Sequence, residues 1–206
     1  QALGDVVTVI DTNLRAETLA DEAFADVSAV GEAYPLLGAV RSLQLAPGQA
    51  VAALLAVDDQ DRPGALVDGI MLDQLGLSIG DSFGLGGTEF VVRGTLAQLP
   101  DAPVRGFRLG LPVLISTQGF AVVSDRTSPL PGLGTWYRYK IVLADRDVEA
   151  GLAAAVNALP DSGWTFRTAR DSLGQMVRYY DLFMRFLVIV GLGSLLIGGV
   201  SVWTGM

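Results

Sequence analysis

The sequence predicts an α+β globular region that leads into a transmembrane α-helix. Three observations carry that reading. Short apolar runs recur with Gly or Pro between them, out of a total of 25 Gly and 9 Pro. The amphipathic stretches long enough for helices are few and short. The last charged residue is Arg185, and Phe186–Met206 is an uncharged run of 21 residues. At about 1.5 Å per residue such a run reaches the roughly 30 Å of a bilayer's hydrocarbon core.

Composition narrows the function before any motif does. The 206 residues are 50% apolar with a mean hydropathy of +0.44, and 17% are charged. Soluble domains carry about 25% charged residues, and disordered chains are far less apolar than this one. Acidic residues outnumber basic ones 22 to 14, giving a net charge of −8 with no basic stripe. Nucleic-acid binding is excluded as a role, because that affinity rests on neutralising phosphates. The chain has no Cys and no His. Disulfides, thiolate chemistry, the commonest general base and the commonest transition-metal ligand are all absent.

Taken in order, Asp5–Asp11 (DVVTVID) reads as a short strand. Residues 14–27 read as a helix, with Leu14, Leu19, Ala23 and Val27 apolar among acids. Tyr34-Pro35-Leu36-Leu37-Gly38 is a turn-rich junction, because Pro fixes φ and Gly accepts a left-handed backbone. Residues 58–64 (DDQDRPG) form a polar loop, and 66–76 a short helix ended by Gly76. Strands follow at Asp81–Leu85, Glu89–Leu96 and Pro112–Ser116, the second showing clear alternation in EFVVRGTL.

Beyond the Pro- and Gly-rich loop 128–134, Tyr137–Leu143 is a strand and Val148–Leu159 a helix closed by Pro160. Trp164–Thr168 reads as another strand, so this stretch predicts a β-α-β subdomain. From Asp171, the spacing of Leu173, Met176, Val177, Tyr180 and Met184 predicts one helix continuing into the uncharged run. Arg178, Tyr179, Tyr180 and Arg185 are of the kinds that sit at a headgroup boundary. Within the run, Gly191, Ser194, Gly198, Ser201 and Gly205 recur in steps of three and four. They predict a seam where a partner helix approaches closely. The division is 1–170 globular, 171–185 helical stalk and 186–206 membrane helix, truncated at its C-terminus.

Several motifs invite chemistry and do not sustain it. Gly80-Asp81-Ser82-Phe83-Gly84 has the G-x-S-x-G pattern of a nucleophile elbow, but that chemistry takes its base from a His. Asp58, Asp59 and Asp61 lack the Gly and distal Glu of a calcium loop. Gly84-Leu85-Gly86-Gly87 and Gly191-Leu192-Gly193 lack the spacing and Lys of a phosphate loop. Trp136, Tyr137 and Tyr139 read as core or edge-strand packing rather than a ligand groove. No catalytic residue, cofactor site or metal site is assigned.

The stretch 72–96 (LDQLGLSIGDSFGLGGTEFVVRGTL) resembles the extracytoplasmic domain of FtsX/MacB-type ABC transporter permeases. The positions that carry the pattern are Leu75, Leu77, Gly80, Asp81, Phe90, Val92 and Gly94, and AYPLLG adds Tyr34, Pro35 and Gly38. ALVDGIMLDQLGL (65–77), LPD (99–101), GLPVLIS (110–116), YRYKIVL (137–143) and LLIGGVSVW (195–203) follow in order and are similar to blocks of YbbP-like permeases. The resemblance implies a MacB-like periplasmic domain of small mixed or antiparallel sheets, with residues 1–180 outside the inner membrane of a bacterium. It also implies a multi-pass, non-enzymatic permease subunit whose ATPase is a partner chain. Its other partners would be further transmembrane helices of the same permease and a periplasmic protein or lipophilic cargo. The role implied is coupling ATP hydrolysis to export or extraction of hydrophobic compounds, lipids or lipoproteins, or to mechanical transmission. The rivals are a membrane-anchored binding or adaptor module without an ATPase and, remotely, a serine hydrolase at Ser82.

Overall fold

The computed structural model describes residues 4–42, 44–46, 49–100, 110–126, 134–143, 147–159, 163–168, 180 and 182–192. The chain divides into two units, Gln1–Asp147 and Val148–Met206.

The first unit is built on one mixed sheet rather than several small ones. Its strands are β1 (Gly4–Glu17), β2 (Glu22–Val30), β3 (Arg41–Ser42), β4 (Gly64–Asp68), β5 (Ser82–Leu85), β6 (Thr88–Gln98), β7 (Leu111–Ser116) and β8 (Trp136–Leu143). Three short helices join it: α1 (Val51–Leu55), α2 (Gly69–Leu75) and α3 (Thr117–Arg126). The pairings run β1–β2–β7–β4–β6–β5 and return to β1 through Ala16↔Leu85 and Glu17↔Gly84. Six strands therefore close on themselves, and closure removes exposed edges. Both β3 and β8 stand outside this ring, β3 on β6 and β8 on β1.

The helix expected over 14–27 is instead the hairpin of β1 and β2. Thr18 Oγ1 accepts from the Asp21 amide at 3.1 Å, and the Thr18 amide donates to the Asp21 carbonyl at 2.9 Å, which turns the chain. After the turn Ala23, Ala25, Val27 and Ala29 all enter one core cluster, a period of two rather than 3.6. Leu19, needed for the helical stripe, lies fully exposed at the turn. Burial of β2 between two neighbours overrides the helix preference of its alanines.

The helix expected over 66–76 is likewise divided. Ala65, Leu66 and Val67 are buried in β4 between β6 and β7. The Asp68 carboxylate then accepts from the Ile70 amide at 2.8 Å and starts α2, which ends at Gly76 with φ 63°. The two-residue turn Gly86-Gly87, with φ of 56° and 78°, joins β5 to β6 as a tight hairpin.

Two apolar clusters occupy opposite faces of the sheet. The first draws on all six ring strands, with Phe83, Phe90 and Val92 among them, plus Met71, Leu72 and Leu75 of α2 and Phe120 and Val123 of α3. The second joins Val7, Val9, Leu66, Leu96 and Leu114 to Val51 and Leu55 of α1 and to Tyr34, Val40 and Leu99. A bulge in β6 serves both. Ala65 faces Val92 but Leu66 faces Gly94, so Arg93 is the extra residue. Beyond it the faces exchange, which is why Phe90 and Val92 enter one cluster and Leu96 the other.

In the second unit, α4 (Val148–Ala158) forms as expected. Residues 163–168 carry no strand, and β8 pairs with β1 in the first unit, so the β-α-β subdomain is not formed. A short alternating run specifies which side its residues face and not which neighbour it joins. The run 136–143 finds an eight-position complement in β1, from Gly4↔Leu143 to Asp11↔Trp136. Residues 182–192 are helical. Among the described residues no helix is long and apolar enough to cross a membrane. The remainder of the uncharged run, 193–206, lies outside the described residues, as does 169–179.

Candidate functional site

The family-like positions converge, and they converge as structure. The Gly80 amide donates to the Val92 carbonyl at 2.8 Å, and the Val92 amide to the Asp81 carbonyl at 2.9 Å. The Asp81 carboxylate accepts from the Ser78 amide at 2.8 Å, so 78–81 forms a tight turn with Gly80 at φ 99°. Phe90 is fully buried beside Phe83, their ring centroids 6.3 Å apart. Gly94 does not make a strand-to-strand turn. A Cβ there would come within 2.9 Å of Gln44 Oε1, which accepts from the Thr95 amide at 2.8 Å. That glycine lets Gln44 lie against β6.

Blocks distant in sequence also meet. Tyr34, at a cis Tyr34–Pro35 bond, is buried with Leu99, and Gly38 at φ 79° sits against Pro100. The Lys140 ammonium lies 5.5 Å from the centroid of the Tyr34 ring, a cation–π contact between β8 and the 33–38 block.

Two polar clusters stand out, and sequence reading found neither. In the first, Asp58 Oδ1 accepts from the Gln60 amide at 3.0 Å and the Arg62 amide at 2.9 Å. Its Oδ2 accepts from Arg62 Nε at 3.1 Å and Nη2 at 2.9 Å, and from Arg93 Nη2 at 3.3 Å. Arg62 Nη1 donates to Ser82 Oγ at 3.0 Å and lies 3.6 Å from Glu89 Oε1. The bulge aims Arg93 at this carboxylate. The acidic loop is thus organised around two guanidinium groups, and among the described residues no cluster is arranged to hold a metal.

Ser82 opens β5 and is followed by a hairpin, whereas a nucleophile elbow needs a strand-to-helix turn. Its Oγ is bound to a guanidinium rather than to a base. Ser82→Ala is therefore expected to leave hydrolysis of short- and long-chain acyl esters at background in both proteins. A rate above background in the parent that disappears with the substitution would restore the hydrolase reading.

The Arg62 amide, followed by its side chain, holds the Asp58 carboxyl below its ordinary value. The Asp58 carboxylate in turn raises Arg62. A depressed acid stabilises the fold above the ordinary carboxylate range and loses that contribution as the pH falls through its folded value. Asp58→Asn is expected to lower the melting temperature at pH 7. The gap from the parent should close progressively in acid, as read by thermal unfolding across pH. A gap that is unchanged at acid pH would contradict the assignment.

The second cluster lies between β1, β2 and β8. Asp11 is 1% exposed, accepts from Ser28 Oγ at 2.8 Å and pairs with Arg138 Nη2. Its signal was present in DVVTVID, where alternation puts Asp11 on the face of Val7 and Val9. An acid on an apolar face demands a cation, but the sequence does not say which one.

The aromatics of β8 are not core. Trp136, Tyr137 and Tyr139 are 56%, 53% and 51% exposed. The core part of the packing expected from the sequence is corrected, because neither cluster reaches β8, while the edge-strand part agrees with a strand that stands outside the ring on β1. Tyr180 and Arg185 are exposed on helical residues of the second unit, and Gly191 is exposed there too. Arg178, Tyr179, Ser194, Gly198, Ser201 and Gly205 lie outside the described residues.

The fold is thus a six-stranded ring with an apolar cluster on each face and β8 outside it, and solved structures share it. The chain is similar to the periplasmic region of MacB from Actinobacillus actinomycetemcomitans, with a TM-score of 0.56 and 12% identity, covering 86% of this chain and 78% of that one. It is similar also to the extracellular domain of the noncanonic ABC-type transporter YknZ from Gram-positive bacteria. That match has a TM-score of 0.51 and 12% identity, over 79% of this chain and 77% of that one. At this identity the likeness is one of fold. No family model matches the sequence, and no curated protein matches it.

Proposed function

We propose that this chain is the extracytoplasmic domain and following transmembrane segment of an FtsX/MacB-type ABC transporter permease, nearest in its sequence blocks to the YbbP-like members. The observation that carries the reading is a fold shared with the extracytoplasmic regions of MacB and YknZ, on a chain whose last 21 residues are uncharged. The permease is non-catalytic and spans the bacterial inner membrane several times, with residues 1–180 in the periplasm. A partner ATPase in the cytoplasm hydrolyses ATP, and the stalk of 171–185 carries the resulting displacement outwards. The periplasmic domain uses it to export or extract a hydrophobic compound, lipid or lipoprotein, or to act on a periplasmic protein. Within the membrane, Gly191, Ser194, Gly198, Ser201 and Gly205 form the face on which another helix of the permease packs.

The placement is tested with Asp59→Cys in the complete protein. These 206 residues contain no cysteine, and Asp59 is exposed in its loop. A membrane-impermeant maleimide should modify this residue in spheroplasts that are otherwise intact. Modification that requires lysis puts the domain on the cytoplasmic side and ends the proposal.

A further inference from the structure

We infer that β8 is a releasable strap: the Asp11–Arg138 pair fastens it to the ring, and it opens while the ring stays folded. This reading concerns the fold alone and stands apart from the transport role.

The ring and the strap are held by different forces. Ring strands bury their side chains in the two apolar clusters, whereas no residue of β8 belongs to either. One face of β8 bears Tyr137, Tyr139 and Ile141, all about half exposed, opposite Val6 of β1, which is 50% exposed. The fastenings lie elsewhere and are polar. Arg138 reaches Asp11, Lys140 lies over Tyr34, and Thr135 Oγ1 is 3.4 Å from Thr12 Oγ1. The ladder to β1 sets the register, but ladder bonds are exchanged for bonds to water on opening.

The ion pair is built to be undone. Asp11 is buried and the Arg138 side chain is 36% exposed, and both regain hydration when they separate, so the pair fixes where β8 docks while adding little net stability. Arg138 Nε is buried with no hydrogen-bond partner among the described residues, a cost that opening removes. Asp11 keeps the Ser28 hydroxyl when Arg138 leaves. The ring closes without β8, because β5 takes the other end of the same edge of β1. Segments with little buried apolar surface open separately from the core that carries them.

Hydrogen exchange on the full chain in detergent micelles tests this. Amides of 136–143 are expected to exchange at least about tenfold faster than those of β2 and β7, as a sub-global opening requires. Arg138→Met should accelerate β8 by about another tenfold while β2 and β7 change by less than about twofold. Exchange of β8 at the rate of β2 and β7 in the parent would overturn the inference, as would equal acceleration of all three in the variant. A second protein guards against a failure of that variant to fold. Val6→Cys with Ile141→Cys places two thiols directly opposite each other on exposed positions of β1 and β8. Oxidation with diamide should raise the protection of β8 to that of β2, and reduction should reverse it. Identical exchange in the two redox states would mean that the strap does not open by itself.

Discussion

Phe90→Ala is expected to destabilise the first unit by about 3–5 kcal/mol, the range for truncating a large buried aromatic. The ring of Phe90 is fully buried in the cluster to which all six ring strands contribute, beside Phe83 and against Gly119. A Cβ at Gly119 would lie 3.1 Å from Phe90 Cε1, so the aromatic fills the space that this glycine leaves. With closed strand pairing on every side, the walls cannot collapse into the vacated volume, and the cavity persists. Equilibrium urea unfolding followed by far-ultraviolet circular dichroism measures the loss. Ile79→Ala, at a half-exposed site, should change stability by less than about 0.5 kcal/mol in the same assay. Similar losses from the two substitutions would show that the cluster is not the organising core.

The second large effect concerns coupling. Gln175–Leu187 contains neither Gly nor Pro, so the proposed stalk is continuous in its helical chemistry across the membrane boundary. Tyr179→Pro would remove a backbone donor and collide with the preceding turn, costing about 3 kcal/mol or more and kinking the rod. The expected outcome is normal membrane insertion, normal ATPase association and ATP hydrolysis, and no transport-linked output. Gly-Gly in place of Met176-Val177 should weaken output less, at about 1 kcal/mol of helix stability per Gly. Hydrolysis and output are measured in the same cells. Full output from the Pro variant would reduce the stalk to a tether.

Some of the local chemistry was legible in the residues that carry it. Gly76 ends α2, Gly86-Gly87 turns a hairpin, and the alternation of EFVVRGTL marks β6. Spacing misled over 14–27, because Leu14, Leu19, Ala23 and Val27 satisfy a helical period by accident. The strand period of Ala23, Ala25, Val27 and Ala29 is carried by small residues that favour helices in isolation. Ring closure was invisible, since it depends on pairings between strands far apart in the chain. The same holds for the site. Asp11 announces a buried acid, but Arg138 is 127 positions away. The bulge that aims Arg93 at Asp58 exists only once β4 and β6 are in register. The family-like positions read as structural in the sequence, and in the structure they pack and turn the chain.

The central claim is that this domain serves a permease driven by a separate ATPase. The most direct measurement is purification of the complete protein, tagged, from native membranes, with identification of what accompanies it and assay of ATP hydrolysis. The expected result is a stoichiometric partner carrying a Walker A sequence, with hydrolysis that disappears when the Lys of that sequence is replaced. A preparation that retains its biological output but contains no such partner and hydrolyses no ATP would contradict it.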